Sequence, residues 1–173
     1  MSTTLVSVDP RIVGLAPSAT VAINAHCAKL RAAGRDVFDF GLGQSPFPVP
    51  EPVVEELRAN AHQKAYLAVS GLRALREAAS GYLSRTQGLV FEADGLIVGP
   101  GSKELLFLMQ VVHDGDLLIP TPGWVSYEPQ ARILGRRPVL LTTELRDGYQ
   151  LDPELLDTAL QREGPRPRTL VLN

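Results

Sequence analysis

From Leu96 to Asn173 the chain repeats one pattern, and that pattern limits its fold more than any other feature. Short, nearly continuous apolar runs ("LIV", "DLLIP", "PVLL", "TLVL") recur, and the first three are each followed by a glycine or proline turn and a segment with apolar residues at helical spacing. An apolar run without alternation is what a strand needs when both of its faces are covered. Strands of that kind alternating with helices define an α/β domain with a mostly parallel sheet. No internal repeat, low-complexity tract or polar linker interrupts the chain.

The preceding part is less regular. "SATVAINAHCAKLRAAGRD" predicts a helix, with Ser18 as its N-cap and Gly34 as its stop. "VFDFGLG" reads as a short strand entering a glycine turn, and the four prolines of "QSPFPVPEP" demand an extended or turning crossing. Helices are expected over "PVVEELRANAHQ", with Pro52 in the first turn, and from Leu72 to Thr86, with Gly81 inside. "GLIVGPG" reads as a strand before the helix "KELLFLMQVV". "WVSYEPQARILG" reads as a helix interrupted early by Pro129, and "DPELLDTALQRE" as one capped by Asp152. The final "RPRTLVLN" stops on an apolar run with no closing helix, so the chain is expected to be a piece of a longer protein.

Composition narrows the function classes. A formal net charge of −2 gives no electrostatic case for nucleic acid or an anionic membrane. The longest apolar stretch is too short to span a bilayer, and the start lacks the basic-then-apolar form of a secretory signal. The single cysteine, Cys27, excludes an internal disulfide and fits a reducing compartment. A cytoplasmic location is therefore expected.

Two stretches carry chemistry. "GPGSKELLFLMQ" sets a glycine turn against a helix start. The first helical N–H groups have no intrahelical partner, and the helix dipole adds partial positive charge there. Ser102 contributes a hydroxyl and Lys103 a cation. The loop is not a Walker motif, and Glu104 stands where a dinucleotide fingerprint has its third glycine. A plain β–α turn with an exposed lysine explains the same residues. The second stretch, "GDLLIPTPGWVSY", holds the only tryptophan, Trp124, just past a strand. In α/β sheets ligands sit off the carboxyl ends of strands. A flat ring near an anion site suits a planar phosphorylated ligand; a core tryptophan anchoring a helix explains it equally.

Laid out in order, these motifs resemble the class I/II aminotransferases, the aspartate aminotransferase-like branch of the fold-type I pyridoxal-phosphate enzymes. The resemblance runs from about Phe38 to Asn173, through "FGLGQSPFPVPEPV", "AYLAVSGLRALREAASGYL", "LIVGPGSKELL", "GDLLIPTPGWVSY" and "LVLN". It implies an amino-terminal arm and small-domain segment over residues 1–50 and an incomplete cofactor-binding large domain over 51–173. It implies pyridoxal 5'-phosphate as cofactor, an amino acid and a 2-oxo acid as substrates, and a homodimer at full length. Gly101, Ser102 and Lys103 would hold the cofactor phosphate, Trp124 would stack on its ring, and Tyr66 would reach the neighbouring subunit's phosphate. Gly43 would lie near the substrate carboxylate. Gln44 to Phe47 depart from the acidic pattern of many relatives, so the resemblance does not name the substrate. Asn173 is not expected to be the asparagine at the cofactor's phenolic oxygen, which should follow a few positions later.

The resemblance also implies a Schiff-base lysine, a pyridine-nitrogen aspartate and a carboxylate-clamping arginine, all downstream of Asn173. Lys29 and Lys64, expected on surface helices, and Lys103 are the only lysines, and none has that lysine's context. An inactive aminotransferase fragment, a lyase, synthase or decarboxylase of the same fold, and a non-catalytic phosphate-binding or dimer-interaction module all remain open. His26, His62 and His113 lack metal-ligand spacing, Cys27 is expected to be buried, and Glu55 and Glu56 read as solvated charges.

Overall fold

A computed structural model of the chain describes residues 7–38, 40–41, 43–162 and 164–173. Among them run α1 (Ala19–Ala32), α2 (Glu51–Asn60), α3 (Arg73–Gln87), α4 (Ser102–Val112), β1 (Asp116–Thr121), α5 (Tyr127–Ile133), β2 (Pro138–Thr142), α6 (Pro153–Arg162) and β3 (Arg168–Leu170). The chain divides into two compact units, Met1–Leu42 with Leu106–Asn173, and Gly43–Leu105.

The first unit holds the sheet. Its order is β2-β1-β3, and both pairings are parallel. The α/β class and the parallel sheet are thus as the apolar runs require. Leu117 pairs with Pro138 and Thr169, which makes β1 the central strand. Its residues Asp116 to Ile119 are all buried. Leu117 and Ile119 point to one face, as residues two apart in a strand must. There they form a core with Tyr127 and Ala131 of α5, against which Leu106 and Val171 pack. Fully burying one such side chain stabilises the fold by roughly 1.5–3 kcal/mol. The Gln110 amide donates to Gln130 Oε1 at 3.1 Å, a buried bond from α4 to α5.

At the amino end of the sheet, buried Asp116 accepts from Arg137 at 2.6 Å and lies 3.6 Å from Arg166. Asp152 caps α6 as expected, its Oδ1 accepting from the Glu154 N–H at 2.9 Å. Gly34 ends α1 with its N–H on the Arg31 carbonyl, while Arg35 N–H returns to Leu30. Ser18 occupies the N-cap position of α1, but its hydroxyl pairs with that of Thr20 rather than with the helix. Cys27 is buried in α1.

The second unit carries α2, with Pro52 in its first turn, and α3, with Gly81 inside it. Arg76 is buried and donates to the Ala93 carbonyl at 2.8 Å, which anchors the turn after α3.

Four local expectations change. Pro129 does not interrupt its helix: α5 begins at Tyr127 and takes the proline into its first turn, where an N–H has no helical acceptor to lose. Residues 96–99 are not a strand. Leu96 is extended, and Val98 N–H reaches Ser70 at 3.0 Å, but the segment's other backbone bonds are local turns, so no ladder forms. The described residues of 37–43 form no strand either, and Phe38 and Phe40 are 79% and 92% exposed, without a sheet to join. Asp39 and Leu42 of that segment lie outside the described residues. Lys64 follows α2 on an exposed non-helical stretch, because the helix stops at Asn60.

Candidate functional site

Gly101 to Lys103 form the entrance to α4. The Gly101 carbonyl accepts from Leu105 N–H at 3.4 Å, the first bond of the helix, and its N–H turns back to Gly99 at 2.7 Å. The turn holds Gly101 at φ +113, a conformation that side chains with a Cβ rarely adopt. Ser102 and Lys103 are then the first two helical residues, both exposed. Their main-chain N–H groups belong to the turn that has no intrahelical acceptors. A hydroxyl, an ammonium and helix-start N–H groups are all donors, which is the chemistry a phosphate needs. An eleven-residue helix behind them supplies the dipole. The residues fit a phosphate-bearing cofactor.

Trp124 belongs to the other unit. It follows the carboxyl end of β1 across a turn containing a cis Thr121–Pro122 peptide. The chain passes from β1 to β2 on one side and then returns to place β3 on the other. That reversal makes the carboxyl ends of β1 and β3 the switch point at which such sheets hold ligands. Trp124 is 36% exposed, and it lines an open depression of about 120 Å³ with Ile119, Thr121, Gly123, Val125, Glu128 and Leu140. Its indole meets the Tyr127 ring edge-to-face, with centroids 5.2 Å apart and planes at 79°. Tyr127 is itself buried, and its hydroxyl donates to Asn173 Oδ1 at 3.1 Å.

Gly101, Ser102 and Lys103 are therefore contiguous at one helix start, and Trp124 stands at a strand end. Tyr66 is fully exposed on the segment between α2 and α3, and Gly43 lies on the exposed stretch before α2. Sequence reasoning missed Tyr127 and the contact made by Asn173. The three-residue spacing of Trp124 and Tyr127 across a helix start was the available signal; the 46-residue link to Asn173 had none. Among the described residues no group of acidic, histidine or cysteine side chains could hold a metal ion, and no helix is long and apolar enough to cross a membrane.

The first unit is a parallel α/β sheet with an aromatic ring at its switch point, which defines the class as α/β. Comparison with known proteins makes this specific. The family model described as aminotransferase class I and II matches residues 35–173, and the chain belongs to that family. It is 36% identical over 168 residues to the aspartate aminotransferase of Geobacillus stearothermophilus, covering 94% of this chain and 42% of that enzyme. It is 35% identical to a bifunctional aspartate and glutamate/aspartate-prephenate aminotransferase of Petunia hybrida, covering 96% of this chain and 35% of that protein. The aspartate aminotransferase of Thermus thermophilus, solved with maleate, superposes with a TM-score of 0.87 at 34% identity, over 97% of this chain and 44% of that one. The chain thus spans about two fifths of the length of these relatives. The fold is that of part of a fold-type I aminotransferase.

Proposed function

We propose that this chain supplies the phosphate-holding and ring-stacking part of a pyridoxal-phosphate-dependent aminotransferase, which moves an amino group between an amino acid and a 2-oxo acid. The observation that carries it is the exposed start of α4 at Gly101 to Lys103, inside the span of the family match. When bound, pyridoxal phosphate supplies an electron sink for the substrate's α-carbon. The chain's own residues bind and orient. Gly101, Ser102 and Lys103 hold the phosphate, and Trp124 fixes the plane of the ring. Gly43 lies by the substrate carboxylate, and Tyr66 reaches the phosphate of a second subunit in a cytoplasmic homodimer. Residues 1–50 serve as arm and small-domain segment and 51–173 as the cofactor-binding portion. Aspartate, which the relatives' names carry, is the first amino donor to try.

Ser102→Asp tests the phosphate assignment. An aspartate in the first turn of a helix is favourable to the helix dipole, so the fold should not suffer. The same charge repels a phosphate. Affinity for pyridoxal phosphate, read from quenching of Trp124 emission, should fall about tenfold for a charge term of about 1.4 kcal/mol. Unchanged affinity with unchanged melting would overturn the assignment.

The catalytic lysine is assigned outside residues 1–173. Lys29 is exposed on α1, Lys64 is exposed after α2, and Lys103 is exposed in the first turn of α4, where this reading gives it to the phosphate. Borohydride reduction of the chain with pyridoxal phosphate should therefore leave no stoichiometric pyridoxyl group on any of them by mass spectrometry. One stoichiometric adduct with turnover would refute this.

A further inference from the structure

We propose that Tyr127 is a positioning residue for Trp124 and that Asn173 holds it in place. This deepens the assignment of Trp124 as the cofactor's stacking ring and rests on it. Two contacts meet on one buried side chain. The Tyr127 ring faces the indole edge-to-face at 5.2 Å and 79°, and its hydroxyl donates to Asn173 Oδ1 at 3.1 Å. An aromatic pair alone leaves both rings able to rock together, since its attraction is broad in angle. A hydroxyl tied to a residue 46 positions away removes that freedom.

The topology gives the tie its meaning. Trp124 follows the carboxyl end of β1, and Asn173 follows the carboxyl end of β3, the strand beside it. Val171 N–H donates to the Leu118 carbonyl at 3.1 Å and carries the β1–β3 pairing beyond the last ladder pair. The orientation of the ring off β1 is thus set from β3, across the switch point. Tyr127 also belongs to the core with Leu117, Ile119 and Ala131, which anchors its backbone and leaves the hydroxyl bond to set the tilt of its ring. Its hydroxyl is the one polar handle on an otherwise apolar wedge. A buried tyrosine hydroxyl requires a partner of this kind.

Trp124 is the only tryptophan, so its spectrum reports on this arrangement alone. The variants are Tyr127→Phe, Asn173→Leu and Asn173→Asp in the 173-residue chain. Without cofactor, Tyr127→Phe and Asn173→Leu should both lower the anisotropy of Trp124 emission and weaken its near-ultraviolet circular dichroism. Asn173→Asp keeps an acceptor oxygen and should restore both signals. Pyridoxal phosphate should then bind about three- to tenfold more weakly to the first two variants, the range of one lost hydrogen bond. Asn173 is exposed, so its two variants decide the matter even where Tyr127→Phe fails to fold. Spectra in Tyr127→Phe and Asn173→Leu identical to those of the parent would overturn the proposal. Altered spectra with an affinity indifferent to Trp124→Leu would remove the stacking assignment and leave the orienting role of Tyr127 standing.

Discussion

Gly115→Ala should remove about 2–6 kcal/mol from the stability of the unit that carries the sheet. A Cβ at this position would lie 2.0 Å from the Pro167 carbonyl oxygen and 2.4 Å from its carbon. Neither atom can give way cheaply. That same carbonyl accepts the Asp116 N–H at 3.1 Å, and Asp116 opposite Arg168 is the first rung of the β1–β3 pairing. Moving Pro167 aside opens the central strand from its neighbour. Gly115 also sits at φ +115, which alone costs about 1–3 kcal/mol for a residue with a side chain. Overpacking adds about 1–3 kcal/mol more. Together these are a large share of the stability of a small domain, about 5–15 kcal/mol in all. Gly148→Ala is the control in the same unit, because its φ of +62 is also left-handed and its Cβ would meet nothing within 4 Å. Urea midpoints followed by Trp124 emission and far-ultraviolet circular dichroism separate the two terms. Equal losses in both variants would show that the approach of Pro167 is not limiting.

Gly115 also shows where the sequence stopped being informative. The unbroken run Asp116 to Ile119 announced a strand covered on both faces, and β1 is the buried centre of the sheet. The glycine before it carried no reading of its own, because the carbonyl that requires it lies about fifty residues further on. The same limit explains residues 96–99 and 37–43. Their apolar runs have strand composition, but strands exist through partners, and composition does not say whether a partner is present. Boundaries failed for a local reason at Pro129, where a proline early in a helix reads as a break or as a start. At the candidate site, the helix start at Ser102 was legible from its glycine turn alone, and the position of Trp124 from its strand–turn–helix order. The link from Tyr127 to Asn173 was not, since it joins two strand ends through the fold.

Asp116→Asn should cost about 2–3 kcal/mol at neutral pH, the range for a hydrogen bond to a buried charged group, and the loss should vanish in acid. The Asp116 side chain is only 7% exposed. The hydrogen bond from Arg137 holds its carboxyl below the usual carboxylate range; burial works against this, and the charges of Arg137, Arg166 and Arg168 add to it. A group depressed in this way stabilises the fold fully above its unfolded pKa, about 3.9, and the contribution is lost as pH falls through the lower folded value. The unfolding free energies of parent and variant should therefore differ most near neutrality and converge as pH drops below about 4. A gap that is constant with pH would mean that the aspartate acts by shape and not by charge. The location explains why the effect should be large. Arg137 leads into β2 while Arg166 and Arg168 bring in β3, so one carboxylate at the amino end of β1 draws cations from both neighbouring strands. A slip of one residue in either pairing would pull a guanidinium away from it, which ties the charge to the register as well as to the stability. The amino edge of the sheet is thus held by charge, and the carboxyl edge, where Trp124 and Asn173 stand, is left available for ligand chemistry.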